Sequence, residues 1–129
     1  METSLNLAEL QVLSENLIKF YNKNLTDNEY KVMLMLKVYS VANPKIIISK
    51  IGILKTNLAI TLKKLVSKNL VKASANPSDA RGKQYCLTPQ GEKQINIVLD
   101  GLAQNLSIAN TTEFFNALKI ILAVLNKKL

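Results

Sequence analysis

The sequence predicts a mainly α-helical fold with one small β-hairpin. Three observations predict it. Apolar residues recur at three- and four-residue spacing along most of the 129 residues. Capping residues open several of these stretches. Turn-forming residues crowd into one segment, NPSDARGKQYCLTPQG at residues 76–91, where the helical period breaks.

The elements follow in order. Leu10, Leu13, Leu17 and Phe20 place a first amphipathic helix within residues 5–20. A second starts at Thr26, where Thr26 and Glu29 have capping-box spacing, and ends near Ser40. A third, short helix has Asn43 as its cap, Pro44 at its first position and Gly52 at its end. The fourth covers Lys55 to Lys68, with Asn69 as a left-handed terminating residue. Residues 70–75 and 84–88 then read as the strands of a hairpin flanking the turn cluster around Pro77 and Gly82. Thr88 and Pro89 open a fifth helix running to about Leu106, and Asn110 and Glu113 open a sixth that reaches the C-terminus. Three short helices followed by a two-stranded hairpin is the order of a winged helix-turn-helix. The expected organisation is a single domain, 1–129. Its DNA-binding region is 26–91, and 1–25 with 92–129 form a helical dimerisation region.

Composition narrows the function. A chain of this length buries a sizeable core. It has no apolar run of membrane-spanning length, and its N-terminus has neither the basic region nor the cleavage site of a signal peptide, so no membrane partner is expected. One cysteine, Cys86, fits a reducing, cytoplasmic setting. There is no histidine, the acids have no metal-loop spacing and the glycines are isolated, so no catalytic role, metal or cofactor is expected. The net charge of +8 is segregated. Ten basic residues and two acids lie between Lys45 and Lys93, while the seven lysines and seven acids elsewhere cancel. A segregated basic segment points to a polyanion, most often nucleic acid.

On a wheel of about 100° per residue, Leu58, Leu62 and Leu65 make the buried stripe of the fourth helix. Thr56, Ile60, Lys63, Lys64 and Ser67 fall opposite, with Asn57 at the edge and Lys55 at the start. Such a face suits a major groove: Thr and Asn reach base edges and Lys reaches phosphates. Ile60 either meets a thymine methyl group or is an isolated surface apolar residue. The same pattern would also serve a core helix with solvated lysines. In the hairpin, Arg81 and Lys83 can follow the phosphate backbone or enter a narrow minor groove. Asp79 holds Arg81 by an ion pair or closes the turn through its own backbone. A plain surface turn with an exposed ion pair is the alternative.

Residues 52–91, GILKTNLAITLKKLVSKNLV through LTPQG, resemble the MarR family of winged-helix transcriptional regulators. Asn76 and Pro77 stand at the family's Asp-Pro, Asp79 and Arg81 at its Asp-x-Arg, and Leu87, Thr88 and Gly91 at its Leu-Thr-x-x-Gly. The resemblance implies a homodimer on a pseudo-palindromic operator in double-stranded DNA. The fourth helix would lie in the major groove and Arg81 in the minor groove. It also leaves room for a small-molecule effector, which no residue identifies. The chain departs from the pattern at Leu54, where a polar cap is expected, at Ala80 and Ile60, where many members have arginine, and at Asn69, usually glycine.

The dimer has an independent argument. The last helix carries Phe114, Phe115, Leu118, Ile121, Leu122 and Leu125, with Ile120 and Val124 widening the apolar surface past one stripe. Such a helix needs a second surface, either its own core or a dimer interface shared with the first and fifth helices, where Leu10 and Leu17 would take part. The competing function is a winged-helix protein-interaction module that uses these terminal helices without specific DNA binding.

Overall fold

The computed structural model describes residues 24–106, together with residues 4, 5, 8, 116 and 119–124. The chain divides into two compact units, Met1–Val98 and Leu99–Leu129. The first carries the predicted order of three helices and a hairpin: α1 (Asp27–Tyr39), α2 (Pro44–Ile51), α3 (Lys55–Ser67), β1 (Val71–Asn76), β2 (Asp79–Leu87) and the start of α4 (Pro89–Leu106).

Local chemistry sets most of the boundaries. Thr26 Oγ1 accepts the Glu29 N–H at 3.2 Å and Glu29 Oε1 accepts the Thr26 N–H at 3.4 Å, closing the capping box at the start of α1. Asn43 Oδ1 accepts the Ile46 N–H at 2.9 Å to cap α2, and Gly52 ends it at φ 69°. Asn69, at φ 59°, is the left-handed residue after α3. Helix α1 ends less comfortably. Ser40 adopts φ 68° and ψ −52°, and the Val41 N–H donates to the Tyr39 carbonyl at 2.8 Å. That is the strained form of the γ-turn.

The core gathers one face of each helix. Tyr30, Met33 and Leu36 come from α1, Ile47 from α2, Leu58 and Leu65 from α3, and Ile95 and Val98 from α4, with Leu70 and Val71 between. Each such side chain contributes roughly 1.5–3 kcal/mol relative to exposure.

Strands β1 and β2 are antiparallel, with Val71 opposite Leu87 and Ala75 opposite Lys83. A third piece of extended chain joins them. Ala42, between α1 and α2, bridges to Tyr85, its N–H donating to the Tyr85 carbonyl at 3.1 Å and its carbonyl accepting the Tyr85 N–H at 2.8 Å. The tip differs from expectation. The strands continue past the expected limits to an Asn76–Asp79 pair, so the turn is Pro77–Ser78 alone. Asn76 closes it: its Oδ1 accepts the Ser78 N–H at 3.0 Å and the Ser78 hydroxyl at 2.9 Å. Ala80, Arg81 and Gly82 fall between the Asp79 and Lys83 pairings, where the register shifts.

The passage from hairpin to α4 is tightly built. Thr88 Oγ1 accepts the Gly91 N–H at 3.0 Å and donates to the Asn69 carbonyl at 2.6 Å, while the Thr88 N–H donates to the Leu70 carbonyl at 3.0 Å. Gly91 lies so close to this segment that a Cβ there would stand 2.0 Å from the Leu70 oxygen.

In the second unit, residues 119–124 are helical and exposed, including Ile121 and Leu122. Leu10, Leu17, Phe114, Phe115, Leu118 and Leu125 lie outside the described residues.

Candidate nucleic-acid interface

Helix α3 presents two faces. Leu58, Leu62 and Leu65 are buried, and Lys55, Thr56, Asn57, Ile60, Lys63 and Lys64 are exposed. Leu54 stands at the N-cap without a side-chain hydrogen bond, so the first N–H groups of α3 stay open to solvent or a ligand. Among the described residues, Lys55, Lys63, Lys64 and Lys83 form no ion pair.

Alongside α3 runs an open groove of about 940 Å³ bounded by α2, α3 and the hairpin. Ile48, Leu62 and Tyr85 contribute to its floor, and Lys45, Lys63 and Lys83 to its rim. The structure therefore brings Lys55, Lys63 and Lys83 to one concavity, while Ile60 stands on the exposed face of α3. The backbone of Asp79 and Arg81 lies in β2, at the end of the hairpin beyond Lys83; their side chains lie outside the described residues.

A brace holds α3 from behind, and the sequence reading did not find it. Lys68, the C-cap of α3, donates to Glu29 Oε2 at 2.7 Å and to the Asn24 carbonyl at 3.4 Å. The same carboxylate caps α1, so one buried group joins the start of α1 to the end of α3. Capping-box spacing revealed half of this role; its partner 39 residues away left no local signal. A second pair, Lys37 to Glu92 at 2.6 Å, joins α1 to α4.

Burial pushes the Glu29 carboxyl pKa up, but the Lys68 hydrogen bond and charge, with the Thr26 donors, outweigh it and hold the group below its ordinary value. Since the folded value is the lower one, the contribution to stability is complete above the unfolded value of about 4.3 and is lost as pH falls through the folded value. Lys68→Met is expected to cost about 2 kcal/mol at neutral pH, below the range for fully buried pairs because the lysine end is partly solvated. The difference from wild type should shrink at acidic pH, once the carboxyl is protonated. Urea midpoints at neutral and acidic pH check this.

Among the described residues, no cluster of three or more His, Cys, Asp or Glu could hold a metal ion, and no helix is long and apolar enough to cross a membrane. Cys86 is half-buried and unpaired in a disulfide.

Residues 25–83 match the model of the MarR family. No curated protein matches the chain. Among solved structures, a cysteine-to-serine mutant of MarR from E. coli is 23% identical, with a TM-score of 0.72 over 95% of this chain and 94% of that one. The same mutant complexed with operator DNA is 22% identical, with a TM-score of 0.67 over 97% and 94%. BpsR of Bordetella bronchiseptica, described for regulation of its DNA binding by 6-hydroxynicotinic acid, is 14% identical, with a TM-score of 0.70 over 98% and 99%. At these identities the likeness is one of fold.

Proposed function

We propose that this chain is a MarR-family winged-helix transcriptional regulator that binds specific sites in double-stranded DNA as a homodimer and represses by occupying them. The observation that carries the reading is the exposed face of α3. Its exposed Thr and Asn are of the kind that reach base edges, and beside them stand lysines that form no ion pair among the described residues. The E. coli MarR structure with operator DNA, similar over nearly the whole chain, supports the same use of the fold.

In this reading α3 enters the major groove through Thr56, Asn57 and Ile60. Lys55, Lys63 and Lys64 engage phosphates. The wing places Arg81 in the minor groove, with Asp79 as its anchor and Lys83 as a second phosphate contact. Residues 26–91 make the DNA-binding region. Leu10, Leu17, Phe114, Phe115, Leu118, Ile121, Leu122 and Leu125 pair with a second copy; the exposure of Ile121 and Leu122 in the single chain supports this. Two such copies would read half-sites about one helical turn apart on a pseudo-palindromic operator. The protein would act in the cytoplasm, without catalysis. A small-molecule effector belongs to the same reading, supported by the ligand control described for BpsR.

Sedimentation combined with fluorescence anisotropy, on upstream DNA and on duplexes selected from a random pool, tests this. A dimer is expected, with affinity falling steeply as salt rises; six contacted phosphates give a log–log slope of about −5. A monomer indifferent to duplex DNA overturns the reading, and a stable complex with another protein in its place would favour the interaction module.

A further inference from the structure

The centre of the exposed face of α3 is not a charge but Ile60, 55% exposed. Thr56 and Lys64 flank it one turn away on either side, and Asn57 and Lys63 flank it at three residues; all four are exposed. The single arginine of the chain is Arg81, in the hairpin, so α3 has no guanidinium for the commonest contact to guanine. From this arrangement, and resting on the DNA-binding reading above, we propose that Ile60 is a specificity-determining residue. It reads the 5-methyl group of a thymine at the centre of each half-site, with an adenine within reach of Asn57.

The argument is one of exclusion by chemistry. In the major groove guanine presents two acceptors and cytosine a donor, and isoleucine satisfies neither. Pressed against a G·C pair it would displace water from these groups without replacing the hydrogen bonds. Only thymine presents an apolar group there. Asn57 adds to the preference, because a carboxamide donates and accepts in the pattern shown by adenine N6 and N7. Lys63 and Lys64, longer and one turn further along, reach outward to phosphates. The central pairs beneath α3 are therefore A·T, and the identity of those pairs is read through a methyl group.

Deoxyuridine in place of thymine removes only that methyl and leaves pairing intact. Binding sites are first selected from a random duplex pool with the wild-type protein, and each thymine of the half-site is then replaced in turn. Replacement in one half-site is expected to weaken wild-type binding about fourfold, the value of one buried methyl group, and replacement in both about 15-fold. Ile60→Ala, at an exposed helical position, should keep the wild-type thermal midpoint. It should bind the thymine duplex more weakly than wild type and lose less than about twofold on the same replacement. Selected half-sites with G·C at their centre, or a deoxyuridine penalty equal in wild type and Ile60→Ala, overturn the assignment while leaving DNA binding intact. Failure to select any duplex overturns the DNA-binding reading itself, and this proposal with it.

Discussion

Gly91→Ala is expected to lower stability by about 3 kcal/mol, a fall in Tm of roughly 10 °C for a chain of this size. The cause is a collision rather than a torsion. The added methyl carbon would stand 2.0 Å from the carbonyl oxygen of Leu70, and backbone cannot swing aside as a flexible side chain can. That oxygen already accepts the Thr88 N–H, and Thr88 in turn holds the Asn69 carbonyl and the first turn of α4. Opening the gap by an ångström or more therefore disturbs three hydrogen bonds and two buried residues, Leu70 and Thr88, at once. A thermal melt of the alanine variant reads the effect. A midpoint within a degree or two of wild type would mean that α4 can move away from this strand junction freely.

Arg81→Ala should weaken binding to a selected operator about 10- to 100-fold, the usual worth of a specific arginine contact, while leaving the melting temperature unchanged. Arg81 falls where the ladder register shifts, outside the backbone pairs that align the strands. The loss should be largest on sites whose flanks have narrow, A·T-rich minor grooves, where the negative potential that attracts an arginine is strongest. Anisotropy titrations against operators differing only in their flanks measure both quantities. Unchanged affinity would remove the wing from the proposed interface and leave α3 to carry it alone.

What could be read in the sequence was short-range. The Thr26–Glu29 box, Asn43 with Pro44, Gly52 and Asn69 are boundary signals whose partners lie within four residues, and the structure places each as expected. The two faces of α3 were legible because helical periodicity is a local property. The hairpin tip was not. Asn76, Pro77, Ser78, Asp79 and Gly82 all favour turns, and composition cannot say which of them closes one. Contacts between distant segments left no trace either. Nothing near Ala42 announces its pairing with Tyr85, and nothing near Lys68 announces Glu29. Gly91 stood out as part of a spacing, but its reason is the carbonyl of a residue 21 positions earlier.

The two-part build of the hairpin bears on how such a protein changes over generations. Five consecutive pairs, from Val71–Leu87 to Ala75–Lys83, align the stem before the tip begins, and Asn76 closes its own turn beyond them. A codon gained or lost among Ala80, Arg81 and Gly82 shifts no residue of that stem to the opposite face, which a one-residue slip inside it would do. The tip is thus open to inheritance on its own terms. A lineage can lengthen, shorten or recharge the end of the wing while the scaffold that aims it is passed on unaltered.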